Sequence, residues 1–389
     1  MLTALSSPLP EPDADARAHS AVVLAEVRAA IASAGGFISF EQYMQRVLYA
    51  PGLGYYVAGA RKFGADGDFV TAPEMTPLFG GALATQVAAI LALTRGRQVV
   101  ELGAGSGVLA ADLLNALAGR EALPAHYVIL EVSPELRERQ RATITARAPA
   151  HAGHVAWIET PPDSIDGAIV MNEVLDAVPP AIVTRRNGAW FERGVTAPAG
   201  LAWAERPLRD AALLAAAQAR FPATIDFMSE INLTAEALIR DLARRMTGGA
   251  MLIVDYGHAQ HDYYAPHRDG GTLRAHYRHR ALDDPFIWPG LTDLTAHVDF
   301  TAIAVAGCDA GLTLAGYAAQ AAFLVNVGIL DALQAAGAPT APAFLREASA
   351  VQKLLSPTAM GESFKVLALA RSEDIVWSGF AHGDRTHKL

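Results

Sequence analysis

The sequence predicts a doubly wound α/β domain, with helices on both faces of a mostly parallel sheet. Three observations predict it. Short apolar strands alternate with helical stretches from residue 98 to residue 171, a glycine-rich turn follows the first of these strands, and an acid closes the second. Hydrophobic residues make up 52% of the 389 and charged residues 18%, ample for a large core. The length exceeds the usual single domain, so one elaborated domain or two domains are expected.

Taken in order, Ser6 to Ala16 (SSPLPEPDADA) is rich in proline and acid, and a flexible start over residues 1–20 follows from it. Ala18 to Ala34 reads as an amphipathic helix ending at Gly35-Gly36. Ser39 caps a second helix, Phe40 to Tyr49, stopped by Pro51-Gly52. Residues 51–81 hold ten glycines and prolines, a loop length that is usually functional or disordered. Its aromatics Tyr55, Tyr56, Phe63, Phe69 and Phe79 argue for order. Thr76 and Pro77 then open a helix running to about Leu93. Residues 21–95 thus form a helical extension with a glycine-rich loop.

The main domain spans 96–389. Gln98 to Leu102 is a buried strand, followed by the glycine turn and a helix to about Leu117. His126 to Glu131 is the second strand, and Ser133-Pro134-Glu135 opens the next helix. His154 to Glu159 and Gly167 to Met171 are the third and fourth strands. Asn187-Gly188 signals a two-residue hairpin. Helix Thr234 to Met246, strand Ala250 to Asp255, an irregular stretch from His258 to His297, helix His297 to Cys308, strand Leu312 to Tyr317, helix Gln320 to Leu333 and strand Phe364 to Ala370 complete the chain. Insertions fall at about 180–235 and 256–300.

Composition narrows the function. A net charge of −9 makes the chain a poor binder of nucleic-acid phosphates and better matched to a basic partner, such as an arginine- or lysine-bearing peptide. No apolar run reaches the roughly 18–20 residues of a membrane span. A single cysteine, Cys308, and no secretory pattern at the start predict a cytoplasmic setting.

The chemistry concentrates at strand ends. Glu101-Leu102-Gly103-Ala104-Gly105-Ser106-Gly107 places three glycines where a strand turns into a helix, letting a ligand approach without a Cβ in the way. A dinucleotide turn requires glycine three residues after Gly105, where Val108 stands, so the third glycine comes early. Glu131, 24 residues after Gly107, can accept hydrogen bonds from two ribose hydroxyls, which suits NAD and S-adenosylmethionine alike. Glu101 is placed to reach a methionine ammonium. At the fourth strand's end, Asn172-Glu173-Val174-Leu175-Asp176 delivers polar groups to the same edge. Glu173 or Asp176 can hold a guanidinium bidentately. Alternatively Glu173 serves the cofactor's amino group or fixes a loop, and Asp176 caps a helix. Asp66, Asp68 and Glu74 in the glycine-rich loop fit either a lid or a solvated turn. His258/His261 and His276/His279 show H-x-x-H spacing, but nothing completes a zinc site and no metal is expected. Asp293, His297 and Asp299 carry no motif beyond helix capping.

Read together, GYY (Gly54–Tyr56), GDFVTAPE (Gly67–Glu74), LFG (Leu78–Gly80), ELGAGSG (Glu101–Gly107), LEVSP (Leu130–Pro134), NEVLDAVP (Asn172–Pro179), DYGH (Asp255–His258), GTLRAH (Gly271–His276), PGLTDLTAHVDF (Pro289–Phe300) and MGESFKVLALAR (Met360–Arg371) resemble one family. It is the family of S-adenosylmethionine-dependent methyltransferases related to the mitochondrial complex I assembly-factor arginine methyltransferase. The resemblance runs from residue 54 to about 370. It implies a class I methyltransferase fold, Rossmann-like with seven strands, and a cofactor site lined by Gly103, Gly105, Glu131 and Asn172-Glu173. It also implies an arginine acceptor on a protein, a respiratory complex I subunit or another basic segment, in the bacterial cytosol or a mitochondrial matrix. Val174-Leu175, where the family often has bulky residues, and Ala72, where it often has serine, depart from the pattern. The first departure bears on the acceptor pocket.

The candidate cofactor residues are therefore Glu101, Gly103, Ala104, Gly105, Gly107, Glu131, Val132 and Asn172, with Pro73 and Glu74 from the loop. Glu173, Asn172 and Asp176 are the candidates for the transfer itself. The expected cofactor is S-adenosyl-L-methionine, leaving as S-adenosyl-L-homocysteine. The rival readings are an NAD-dependent oxidoreductase and a catalytically silent assembly factor with this fold.

Overall fold

Alternate residues of each central strand point to opposite faces, and here both faces are apolar. Val99, Ile129, Val170 and Leu252 face one cluster; Val100, Ile169, Met171 and Met251 face another. Such strands form a sheet only when helices cover both sides. The computed structural model describes residues 9–57, 71–372 and 374–389. Asp66, Gly67, Asp68, Phe63 and Phe69, the body of the loop read above as a lid, lie outside the described residues.

Seven strands form the path of the central sheet: β1 (Gln98–Leu102), β2 (His126–Leu130), β3 (Val155–Ile158), β4 (Ile165–Asn172), β5 (Met246–His258), β6 (Thr313–Ala319) and β7 (Phe364–Ala370). Their spatial order is β3-β2-β1-β4-β5-β7-β6, and the two-residue strand Val298–Asp299 pairs with the end of β5. Neighbours from β3 through β5 are parallel, whereas β7 runs antiparallel to both its neighbours. The sheet is mixed and mostly parallel. Chain order reverses between β1 and β4, so the carboxyl ends of these two strands flank the crevice where ligands of open α/β sheets bind.

The caps set the helices. Asp13 accepts from the Ala16 amide at 2.9 Å and starts α1 (Ala14–Ser33) upstream of the expected Ala18. Ser39 and Gln42 form a reciprocal capping box on α2 (Phe40–Tyr49). A four-residue helix, α3 (Ala72–Met75), lies inside what reads as loop. Thr76 then caps α4 (Pro77–Leu91). After the glycine turn comes α5 (Val108–Ala118), and Ser133 caps α6 (Pro134–Arg147). Leu83, Val87 and Ile90 of α4 and Leu109 and Leu113 of α5 bury one sheet face. Helices Leu233–Arg245 and Phe300–Asp309 bury the other through Ile239, Leu242 and Ile303.

Away from the central sheet the reading and the structure part company in three places. Asn187 and Gly188 take positive φ of 50° and 78°, as a tight hairpin demands, but the hairpin belongs to a larger antiparallel sheet of Ile38–Ser39, Ala181–Arg186, Ala189–Thr196, Ala202–Pro207 and Phe227–Ile231. The stretch expected to be irregular holds a three-stranded antiparallel sheet, Arg274–Tyr277, Arg280–Leu282 and Asp293–Thr295. Its strands are too short to show alternation. Its turn residues Arg278 and His279 adopt φ of 45° and 61° without the glycine or asparagine that would announce them. The helix expected from Gln320 to Leu333 breaks at Gly328 (φ 87°) into Gln320–Asn326 and Ile329–Ala335, and a further helix, Pro342–Leu355, was not expected.

Candidate active site

The carboxyl ends of β1, β2, β4 and β5 open into a cavity of about 700 Å³, within the usual range for a cofactor-sized ligand. Pro73, Glu74, Glu101, Gly103, Ala104, Gly105, Glu131, Val132, Asn172, Glu173 and Asp176 all line it. Gly107 does not. It sits at the start of α5 with φ 85°, and a Cβ there would stand 2.9 Å from the Cα of Gln140. Its glycine serves the close approach of α5 and α6.

At the end beside the glycine turn, Gly103 has φ +66°, and a Cβ added to it would meet Val174 at 2.7 Å. The turn therefore stays open to the cavity only as glycine. Glu101 is buried and accepts the Tyr127 hydroxyl at 2.5 Å; burial pushes its pKa up to about 7 against that bond. Ser106 donates to Glu74, tying α3 to the turn. Glu131 accepts the Ser133 amide at 2.9 Å on one oxygen and the Gln140 amide nitrogen at 3.0 Å on the other. The Val132 amide bonds it as well, and with about four acceptor sites the carboxylate keeps room for a ligand. Gln140 also donates to the Gly105 carbonyl at 3.1 Å and accepts the Trp157 indole at 2.9 Å. Trp157 can only donate, which fixes the Gln140 amide with its nitrogen toward Glu131 and Gly105. Val132, 61% exposed, offers an apolar surface beside this acid.

The other end is acidic and walled by tyrosine. Glu173 follows β4 in left-handed backbone (φ 54°), its amide donating to the Val254 carbonyl at 2.9 Å. Its carboxylate accepts the Ala72 amide at 3.4 Å and the Asn172 amide nitrogen at 3.3 Å. Burial, and then Asp176, push its pKa up to about 8. Asp176 is buried, with its pKa raised by burial to about 6, and one of its oxygens lacks a hydrogen-bond partner among the described residues. The same is true of the Asn172 side-chain oxygen. No helix follows Asp176, so it caps none. Asp255 accepts the Leu175 amide at 2.9 Å and the Asp176 amide at 3.3 Å, and burial together with Asp176 and Glu173 raises its pKa well above the ordinary value. Among the described residues, Glu173, Asp176 and Asp255 form no ion pair.

Tyr49, Tyr56 and Asp293, none of them among the individual candidate residues, complete this end; Tyr56 and Asp293 fall in the 51–81 and 256–300 segments from which the sequence predicts an acidic acceptor groove. Tyr56 donates to Asp293 at 2.9 Å and stacks on Tyr49 with ring centroids 5.5 Å apart. The GYY segment was the visible signal for Tyr56. For Asp293 it was the PGLTDLTAHVDF stretch, but its inward placement rests on the short strand Asp293–Thr295. Asp299 is the helix cap expected of this segment, accepting from Thr301 and Ala302. His258 and His297 lie with ring centroids 5.2 Å apart, but among the described residues no three His, Cys, Asp or Glu side chains are arranged to hold a metal.

An open glycine turn, an acid with acceptor capacity to spare and an amide oxygen unpartnered among the described residues form a cradle that fits an S-adenosylmethionine-sized nucleoside. Comparison with known proteins bears on the same point. Residues 82–318 match the family model described as "Putative S-adenosyl-L-methionine-dependent methyltransferase". The chain is 31% identical over 377 residues to "Protein arginine methyltransferase NDUFAF7, mitochondrial" of Mus musculus, covering 86% of this chain and 81% of that protein. It is 30% identical over 377 residues to the protein of the same name from Danio rerio, with 86% and 84% covered. A solved structure from Burkholderia thailandensis, bound to S-adenosyl-homocysteine, matches with a TM-score of 0.94 and 46% identity over 98% of this chain and 100% of that one. These likenesses decide between the two nucleoside cofactors that Glu131 leaves open: the chain belongs to the family of S-adenosyl-L-methionine-dependent methyltransferases.

Proposed function

We propose that this methyltransferase acts on an arginine side chain of a protein, and that the acidic end of the cavity receives the guanidinium. The observation that carries the reading is the group Glu173, Asp176 and Asp255. Glu173 and Asp176 line the cavity with stacked Tyr49 and Tyr56, Asp255 is buried next to them, and the three crowded, mutually repelling carboxylates form no ion pair among the described residues. A bound guanidinium relieves that repulsion, pairs with a carboxylate fork and lies against aromatic faces. The relatives named as arginine methyltransferases support the same acceptor. Its carrier is read as a basic protein segment, of which a respiratory complex I-type subunit is one case. The strand order supports a seven-stranded class I methyltransferase core. The exposed thiol of Cys308 suits a reducing compartment, bacterial cytosol or mitochondrial matrix.

In this reading Glu131 accepts the ribose hydroxyls, Val132 lies against the base, and Glu101 with the Asn172 oxygen faces the methionine ammonium. When bound, S-adenosylmethionine supplies a methyl group already activated on a positively charged sulfur. The chain's residues then align the acceptor nitrogen with it and exclude water. Glu173 holds the guanidinium and localises a lone pair on the reacting nitrogen. As the nitrogen–carbon bond forms and the carbon–sulfur bond breaks, the nitrogen loses a proton. Glu173 or Asp176 accepts it, since burial has raised both toward neutral pKa.

The test is direct. The purified chain, given methyl-labelled S-adenosylmethionine and a bacterial protein extract, should yield label that co-migrates with methylarginine after acid hydrolysis. Label in lysine, in base-labile esters or in RNA would sink the arginine reading. A second expectation concerns Gln140, whose single amide orients both Glu131 and the Gly105 carbonyl. Gln140→Leu should weaken S-adenosylhomocysteine binding by about 1–2 kcal/mol, the scale of one hydrogen bond lost to a charged group. Unchanged affinity by calorimetry would confine Gln140 to packing.

A further inference from the structure

The three-stranded sheet that sequence reasoning missed turns one face to the acidic end of the cavity. In its central strand Arg274 stands opposite Thr295, and His276 opposite Asp293. Because strand residues alternate, these four side chains share a face, and all four line the cavity together with His297. The intervening Ala275 and Leu294 point the other way, into the cluster built by α1 and α2. A packed core therefore holds the face rigid.

Its charges are ordered. Asp293 and Thr295 are buried, His276 and His297 are partly buried, and Arg274 is exposed. Burial lowers the pKa of His276, and that of His297 to about 3, so both are neutral at physiological pH. Arg274 is thus the positive charge of this face. Its guanidinium donates to its own neighbour's carbonyl, Leu273, at 3.0 Å, and it makes no ion pair among the described residues. Asp293 lies diagonally across the ladder from it, a separation of about 7–8 Å. That nearly equals the roughly 7 Å between same-side residues of an extended peptide.

We propose that Arg274 is a specificity-determining residue that reads an acidic side chain within two residues of the target arginine, the acceptor segment lying extended along this face. The inference rests on the arginine reading of the site. Its chemistry is opposite-charge matching: the acceptor's guanidinium meets Glu173, Asp176 and Asp293, while its neighbouring carboxylate meets Arg274. A segment carrying lysine in place of the acid brings like charges together at the rim.

The experiment uses the full chain saturated with S-adenosylhomocysteine, and fluorescently labelled peptides of the form Gly-Arg-Gly-Asp-Gly and Gly-Asp-Gly-Arg-Gly, blocked at both ends. Counterparts carry glycine or lysine in place of aspartate. In at least one order the aspartate peptide should bind five-fold or more tighter than the glycine peptide, with the lysine peptide weakest. Arg274→Glu should invert that ranking and leave S-adenosylhomocysteine affinity within two-fold, which also reports an intact fold. Equal binding of all arginine peptides, unmoved by Arg274→Glu, would overturn the inference while leaving the arginine site standing. A variant that loses S-adenosylhomocysteine affinity with its peptide ranking unchanged would assign Arg274 to the cofactor and overturn it too. Failure of every arginine peptide to bind would remove both readings.

Discussion

Glu173→Gln is expected to lower methyl transfer about a hundredfold or more, the low end of what a positioned proton acceptor contributes, while S-adenosylhomocysteine affinity changes less than two-fold. Glutamine keeps the size and the hydrogen bonds from Ala72 and Asn172 but cannot carry the charge that localises the acceptor's lone pair. The pH profile sharpens the test. With its pKa raised by burial to about 8, Glu173 in the free enzyme is largely protonated at pH 7. The anion is the form that pairs with a guanidinium, so kcat/KM should rise with pH up to about 8 in the wild type. That limb should flatten in the variant, leaving the limb set by Asp176 near 6. Equal losses of turnover and cofactor affinity would move Glu173 to the cofactor's side of the site.

The second large effect is expected at Glu131. Glu131→Ala is expected to weaken S-adenosylhomocysteine binding by about 1–3 kcal/mol, the cost of leaving polar groups unpaired in a closed site. The readout that separates recognition from packing is the 2′-deoxy analogue. Wild type should discriminate against it, and the variant should bind both alike. If the variant keeps wild-type affinity for S-adenosylhomocysteine, Glu131 is no part of the site. If it loses affinity but still discriminates, another group reads the hydroxyls.

What could be read without coordinates was local. The strand from Gln98 to Leu102 is written as a run of apolar residues ending in glycines, because a backbone that turns at φ +66° beside Val174 admits only glycine. Ser39, Thr76 and Ser133 announce their helices, because a cap and its amide lie within three residues of each other. Asn172 and Glu173 stand at the end of an apolar strand, and strand ends in such sheets are where ligands meet protein.

Tertiary structure alone decided the rest. Asp293, Tyr56 and Tyr49 come together from segments over two hundred residues apart, through bonds that no spacing encodes. Gln140 acquires its role only when Trp157 and Glu131 arrive from two strands and lock its amide. Arg274 and His276 share a face with Asp293 because strands of three and four residues pair in one register, a pattern too short to leave a period in the chain. The raised pKa of Glu173 depends on burial beside Asp176, and burial is a property of the packed molecule. The sequence by itself determined the glycine turn and the acids at the strand ends beside it, because a turn is a matter of neighbouring dihedrals. The acidic end of the cavity was decided by folding, since an electrostatic field is the sum of charges brought together from distant parts of the chain.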